Sequence, residues 1–146
     1  MKTYKGFFQP VHPEKYKGNV HNIVYRSGWE ARFMLWLDKR DDVLEWSSEE
    51  IIIPYRDPTD GRLRRYFPDF LVTKKGKEGN IETVLIEIKP DKETKMPDKP
   101  AKITKHYWNK VAIYAINQKK WESADKWCKE KGYKFIIMTE HDLFVK

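Results

Sequence analysis

Two short stretches carry residue types and spacing that can do chemistry: Pro68-Asp69, and Glu87-Ile88-Lys89 in the next strand-like run. Two carboxylates at neighbouring strand ends offer hard oxygen ligands, the kind Mg²⁺ prefers while it keeps several waters. Asp69 and Glu87, with the backbone carbonyl of Ile88, are the candidate metal ligands. A metal held there lowers the pKa of a water and neutralises charge on a phosphorane-like transition state. Lys89 would orient the attacking water or stabilise developing negative charge. This kit suffices for phosphodiester hydrolysis without a nucleophilic side chain. The plain alternative is a cross-strand salt bridge on a solvated face.

Glu30 is a further candidate ligand. Ser27-Gly28-Trp29-Glu30 fits a capping box, in which Glu30 closes the start of its own helix. The same carboxylate shares a helix face with Phe33, Met34 and Leu37, where burial without a partner is costly. It could therefore also reach the Asp69 and Glu87 cluster.

The elements that must position these residues follow from periodicity. Helical spacing runs over residues 27–40. Three strands are predicted at 44–55, 64–73 and 81–89, with turns at 57–61 and 74–80 that argue for an antiparallel meander. In the third strand Glu87 and Lys89 share one face, and Val84, Ile86 and Ile88 take the other. A polar loop fills 90–100. A long helix over 103–130 stops at Gly132, with Tyr107, Val111, Tyr114, Ala115, Trp121 and Trp127 as its apolar surface. A last strand, 133–139, can return parallel after the helix crossover. The order is α-β-β-β-α-β, an α/β architecture with a mixed central sheet flanked by helices. Residues 1–26, with prolines at 10 and 13, read as an extended basic and aromatic N-terminal arm, leaving 27–146 as the domain. The arm would either pack on the domain or contact nucleic acid or a protein partner.

With 146 residues, 40% of them hydrophobic, the chain can bury a core. Its net charge of +7 favours phosphate polyanions. No run is long and apolar enough for a bilayer span, no secretory leader is evident, and a lone Cys128 suits a reducing compartment. The expected setting is cytosolic. His12, His21, His106 and His141 lack metal-ligand spacing; His21, just ahead of the first helix, could reach a phosphate. Lys92, Lys95, Lys99, Lys102 and Lys105 follow the Glu87-Lys89 strand, either as a solvated charge run or as contacts to a DNA backbone. Trp108, Trp121 and Trp127 could stack on bases or pack a core. No aromatic motif or glycine-rich clamp marks an RNA-binding module.

At Pro68-Asp69 and Glu87-Ile88-Lys89 the chain resembles the PD-(D/E)XK nuclease superfamily over about residues 27–140. Ser27-Gly28-Trp29-Glu30 with Phe33, and Tyr66-Phe67-Pro68-Asp69-Phe70, look like the TnsA-type endonuclease group. Tyr4-Lys5-Gly6-Phe7-Phe8-Gln9-Pro10, Asn22-Ile23-Val24-Tyr25-Arg26-Ser27 and Glu45-Trp46-Ser47-Ser48-Glu49 resemble head-completion nucleases of contractile-tailed phages. The resemblance implies a restriction-endonuclease-like core and a Mg²⁺-dependent DNA endonuclease, with Mn²⁺ as a substitute. Its catalytic residues would be Glu30, Asp69, Glu87 and Lys89. It further implies action on packaged heads before tails join, in the host cytoplasm during assembly and at the head or portal region of the virion. DNA and portal or other head proteins would be the partners, and a homodimer the form that cuts both strands. A portal-binding structural protein with a weak or vestigial site is the alternative.

Overall fold

The computed structural model describes residues 3–143. Residues 1–2 and 144–146, the tips of the expected arm and tail, lie outside the described residues. In chain order, β1 (Thr3–Phe7) pairs antiparallel with β2 (Val24–Ser27). Helix α1 (Gly28–Lys39) follows, then β3 (Val43–Ser48), β4 (Ile53–Arg56), β5 (Leu63–Tyr66), β6 (Phe70–Lys75) and β7 (Ile81–Ile88). Helix α2 (Lys105–Lys131), β8 (Lys134–Met138) and the short α3 (Glu140–Leu143) complete the chain. The central sheet has the order β3-β6-β7-β8, antiparallel except for the parallel β7–β8 pair. The expected α/β core with a mixed sheet between helices is therefore present.

Local chemistry sets these boundaries. Ser27 has extended backbone and its Oγ accepts the Glu30 N–H at 3.2 Å, the N-cap of α1. Glu30, Phe33, Met34 and Leu37 are all buried, as their spacing predicts. Thr104 caps α2, and Gly132 ends it in the left-handed region at φ 74, where a Cβ would be strained.

Two predicted strands are each split. The 44–55 run breaks after β3, where Glu49 adopts φ 54 and redirects the chain, and resumes as β4. The 64–73 run breaks at Phe67-Pro68-Asp69 into β5 and β6. The outer halves, β4 and β5, pair with each other as a separate two-stranded ribbon. The meander is thus three strands, β3, β6 and β7, with a ribbon inserted in its first connection. Pro54 supplies no N–H to a ladder and sits in a two-strand ribbon at little cost.

The sheet is covered on both faces. Phe33, Met34 and Leu37 of α1 pack with Trp46, Phe70, Val72, Val84, Ile86 and Ile88. On the other side Trp121, Ala124 and Cys128 of α2 pack with Leu85, Ile53, Tyr55 and Tyr66. Of the expected apolar surface of α2, Trp121 is buried and Tyr107, Val111, Tyr114, Ala115 and Trp127 are half-buried, while the fully buried residues run from Asn117 to Cys128. Trp108 is exposed, Trp121 buried, and Trp127 packs edge-on against Tyr133. Cys128 is fully buried, and burial pushes its thiol up to about 11.

The segment before α1 is joined to the same core. Tyr16 and Ile23 are buried in the α1-side cluster. Buried Asp38 accepts the N–H groups of Val11 and His12 at 2.8 and 3.0 Å. The Lys15 ammonium donates to the carbonyls of Leu37, Asp38 and Arg40 at 2.8, 3.0 and 2.7 Å. These are among the carbonyls a helix end leaves without intrahelical partners.

Candidate active site

Strand pairing brings the acids together. In the β6–β7 ladder Phe70 pairs with Ile86, and one further step in that register sets Asp69 beside Glu87. Asp69 Oδ2 accepts the Ile88 N–H at 2.8 Å, which fixes the carboxylate at the mouth of the hairpin. The end of β3 arrives at the same point, because the Glu49 N–H donates to the Asp69 carbonyl at 3.1 Å. From α1, Glu30 approaches, its Oε2 accepting from Ser27 Oγ at 3.3 Å and its Oε1 from the Arg26 N–H at 3.4 Å. Glu30 therefore both closes its helix start and joins the cluster.

One carboxylate oxygen from each of Glu30, Glu49 and Asp69 lies within 4.8 Å of the others. Glu87 stands beside this group with its oxygens turned to other partners. Tyr66 Oη donates to Glu87 Oε1 at 2.6 Å, and Lys89 Nζ stands 3.9 Å from Oε2. Glu49 is paired with Arg26 at 3.0 Å. Behind Tyr66, the Lys120 ammonium of α2 sits 5.6 Å above the Tyr66 ring and 5.7 Å above the Tyr55 ring.

The electrostatics are those of acids crowded away from water. Burial, then the neighbouring Glu87 and Glu30, holds the Asp69 carboxyl well above the usual range, against the pull of the Ile88 N–H and Lys89. Burial also raises Glu30, with Glu49 and Glu87 adding to it. Glu87 is raised by burial and restrained by Tyr66, Lys89 and Lys120. Burial lowers the Lys120 ammonium, while Glu87 favours its charged form. A divalent cation among these oxygens would relieve the repulsion. The donors are all carboxylate, without imidazole or thiolate, so they fit a hard cation.

The remaining expected site residues lie as follows. The Ile88 group seen to face Asp69 is its N–H. His21 is exposed, its N–H bonded to Asn19 Oδ1. Lys92 lies in a 3-10 turn over Asp91–Thr94, and Lys95 pairs with Asp91 at 3.0 Å. Lys99, Lys102 and Lys105 are exposed on the approach to α2. Glu49, Tyr66 and Lys120 are members that sequence reasoning missed. Glu49 and Tyr66 lie within the stretches that carry the resemblance, yet only strand pairing assigns them partners.

Residues 40–140 match the family model described as TnsA-like endonuclease N terminal. The chain belongs to the TnsA-like endonuclease family. Asp69, Glu87, Lys89, Glu49, Tyr66 and Lys120 all fall inside the matched residues, and Glu30 precedes them. The chain is also 39% identical over 145 residues to the head completion nuclease of Enterobacteria phage T4, spanning 97% of this chain and 94% of that protein. That span takes in Glu30 and the segment before α1. Membership of a nuclease family implies a divalent metal, and Glu30, Glu49 and Asp69 form an acidic group that could hold one. Among the described residues no helix is long and apolar enough to cross a membrane.

Proposed function

We propose that this protein is a Mg²⁺-dependent endodeoxyribonuclease acting in phage head completion after genome packaging, with Mn²⁺ able to replace Mg²⁺. The observation that carries the reading is the convergence of Glu30, Glu49 and Asp69 oxygens within 4.8 Å, beside a Glu87 that is held by Tyr66 and Lys89. Family membership and the phage relative's name support the role. DNA is the substrate in this reading, portal or other head proteins are the partners, and the host cytoplasm is where heads are completed.

Asp69, Glu30 and Glu49 would hold the cation, with Glu87 completing the set from the neighbouring strand. When bound, the cation supplies Lewis-acid polarisation of a phosphate oxygen and a water of lowered pKa. Tyr66 fixes one Glu87 oxygen and so sets the direction of the other. Lys89, 3.9 Å from that second oxygen, would orient the incoming water and balance charge that develops on the phosphate. Arg26 neutralises Glu49 and limits like-charge repulsion in the cluster.

The test is cleavage of linear and circular duplex DNA with Mg²⁺ or Mn²⁺. Cutting by the parent protein, and loss of about a hundredfold or more in Asp69→Ala and Lys89→Ala, is expected when a catalytic electrostatic contact is removed. No cutting with either metal, or equal cutting by both variants, would overturn the enzyme reading. A structural head protein with an inactive site would give the first of these failures while still supporting head completion.

A further inference from the structure

The β4–β5 ribbon presents a face that the active site does not use. Its register pairs Ile53 with Tyr66, Pro54 with Arg65, Tyr55 with Arg64 and Arg56 with Leu63. Ile53, Tyr55 and Tyr66 point inward to α2 and are buried. Alternation then sends Pro54, Arg56, Leu63 and Arg65 outward. Leu63 on this face is 65% exposed, and the flanking residues Ile52 and Phe67 continue it at 49% and 41%.

Among the described residues, none neutralises the charge on this face, and no carboxylate pairs with Arg56 or Arg65. Arg56 donates to the neutral Gly61 carbonyl at 2.6 Å, and Arg65 lies 5.7 Å over the Phe67 ring. The ribbon's acids, Asp57 and Asp60, are instead engaged by Arg64. An outward face of arginine and large apolar side chains, without acid, suits a polyanion that also offers flat apolar surfaces. The ribbon is also mechanically tied to the site. Tyr66 on its inner face holds Glu87, and Asp69 follows three residues later.

We infer that the outer face of the β4–β5 ribbon, through Arg56 and Arg65, grips the DNA backbone beside the bond to be cut, with Leu63 and Phe67 against the groove. The inference rests on the nuclease reading for its substrate. A two-stranded ribbon fits the major groove of B-DNA. Its four residues span about 13 Å at ~3.3 Å each, or roughly four base pairs at ~3.4 Å per step along one strand.

The experiment is fluorescence anisotropy of a labelled duplex in EDTA, where binding proceeds without cutting, across a salt series. Parent protein is compared with the double variant Arg56→Ala/Arg65→Ala, with Arg65→Lys, and with Lys126→Ala/Lys129→Ala on α2 as a charge-matched control. Two lost phosphate contacts should flatten the log K against log salt slope by about 1.8, since each contributes ~0.9. The α2 control should keep the parent slope, and Arg65→Lys should keep most of it. Thermal unfolding of the double variant should match the parent. With metal present, its KM for DNA should rise while kcat is retained, unlike Asp69→Ala. Parental affinity and slope in the double variant, or no DNA binding by the parent, would overturn the inference. If the parent cuts and the double variant behaves as the parent, only the ribbon inference fails. If the slope falls as expected but the parent cuts no DNA with either metal, the nuclease reading alone fails.

Discussion

Glu87 is held by two different side chains, Tyr66 at 2.6 Å on one oxygen and Lys89 at 3.9 Å from the other. Removing an outer hydrogen bond of this kind typically costs 10–100-fold in metal affinity. Tyr66→Phe keeps the buried ring and deletes only the donor, so Mn²⁺ affinity measured by calorimetry should fall by about that factor while the fold is retained. Unchanged affinity would show that Tyr66 does not position Glu87. The raised carboxyls also set a pH dependence. Glu30, Asp69 and Glu87 are all raised by burial, and Glu30 and Asp69 also by neighbouring carboxylates. Metal competes with protons for these oxygens. Mn²⁺ affinity should therefore weaken on acidification at pH values above the usual carboxylate pKa of about 4. Affinity that holds steady down to that pH would contradict the crowding.

At the scale of elements, what could be read in advance was whatever depends on local pattern. The Ser27 cap, the Glu30-Phe33-Met34-Leu37 face and the Gly132 stop all rest on neighbours within a few residues, and all are present. Glu87 and Lys89 share a strand face for the same reason. The ribbon was hidden because β4 and β5 lie next in sequence to the core strands β3 and β6, so that each neighbouring pair reads as one continuous run. What separates them is a backbone feature, φ 54 at Glu49, and the break at Pro68. Glu49 and Lys120 enter the site through pairing and helix packing, which no spacing reports. The strap that residues 11–15 form across the end of α1 is non-local in the same way: Asp38 is buried and accepts two N–H groups from residues 11 and 12. Asp38→Ala deletes two hydrogen bonds to a carboxylate, and with water able to reach the donors each deletion is expected to cost about 1 kcal/mol. The expected loss of Tm is roughly 2–4 °C per kcal/mol at this size, read by calorimetry. An unchanged Tm would mean the strap adds nothing to stability.

For the whole molecule, the metal-free acidic cluster is a local source of instability that a bound cation would remove. A carboxyl whose folded pKa lies above its unfolded value stabilises the fold at low pH. That contribution is lost as pH rises through the folded pKa. At neutral pH the metal-free cluster therefore works against folding, and a cation that binds only the folded state adds stability by mass action. Mn²⁺ should raise the Tm of the parent at neutral pH. Asp69→Asn should raise the metal-free Tm by roughly 2–4 °C per kcal/mol relieved and abolish most of the metal-induced rise. A metal-induced rise equal in the variant and the parent would place the ion elsewhere. The most direct measurement is anomalous diffraction from crystals soaked in Mn²⁺. The expected result is a peak in contact with Asp69, among the oxygens of Glu30, Glu49 and Glu87. A peak elsewhere, or none at Asp69 in a fully soaked crystal, would contradict the metal centre on which the proposed reaction depends.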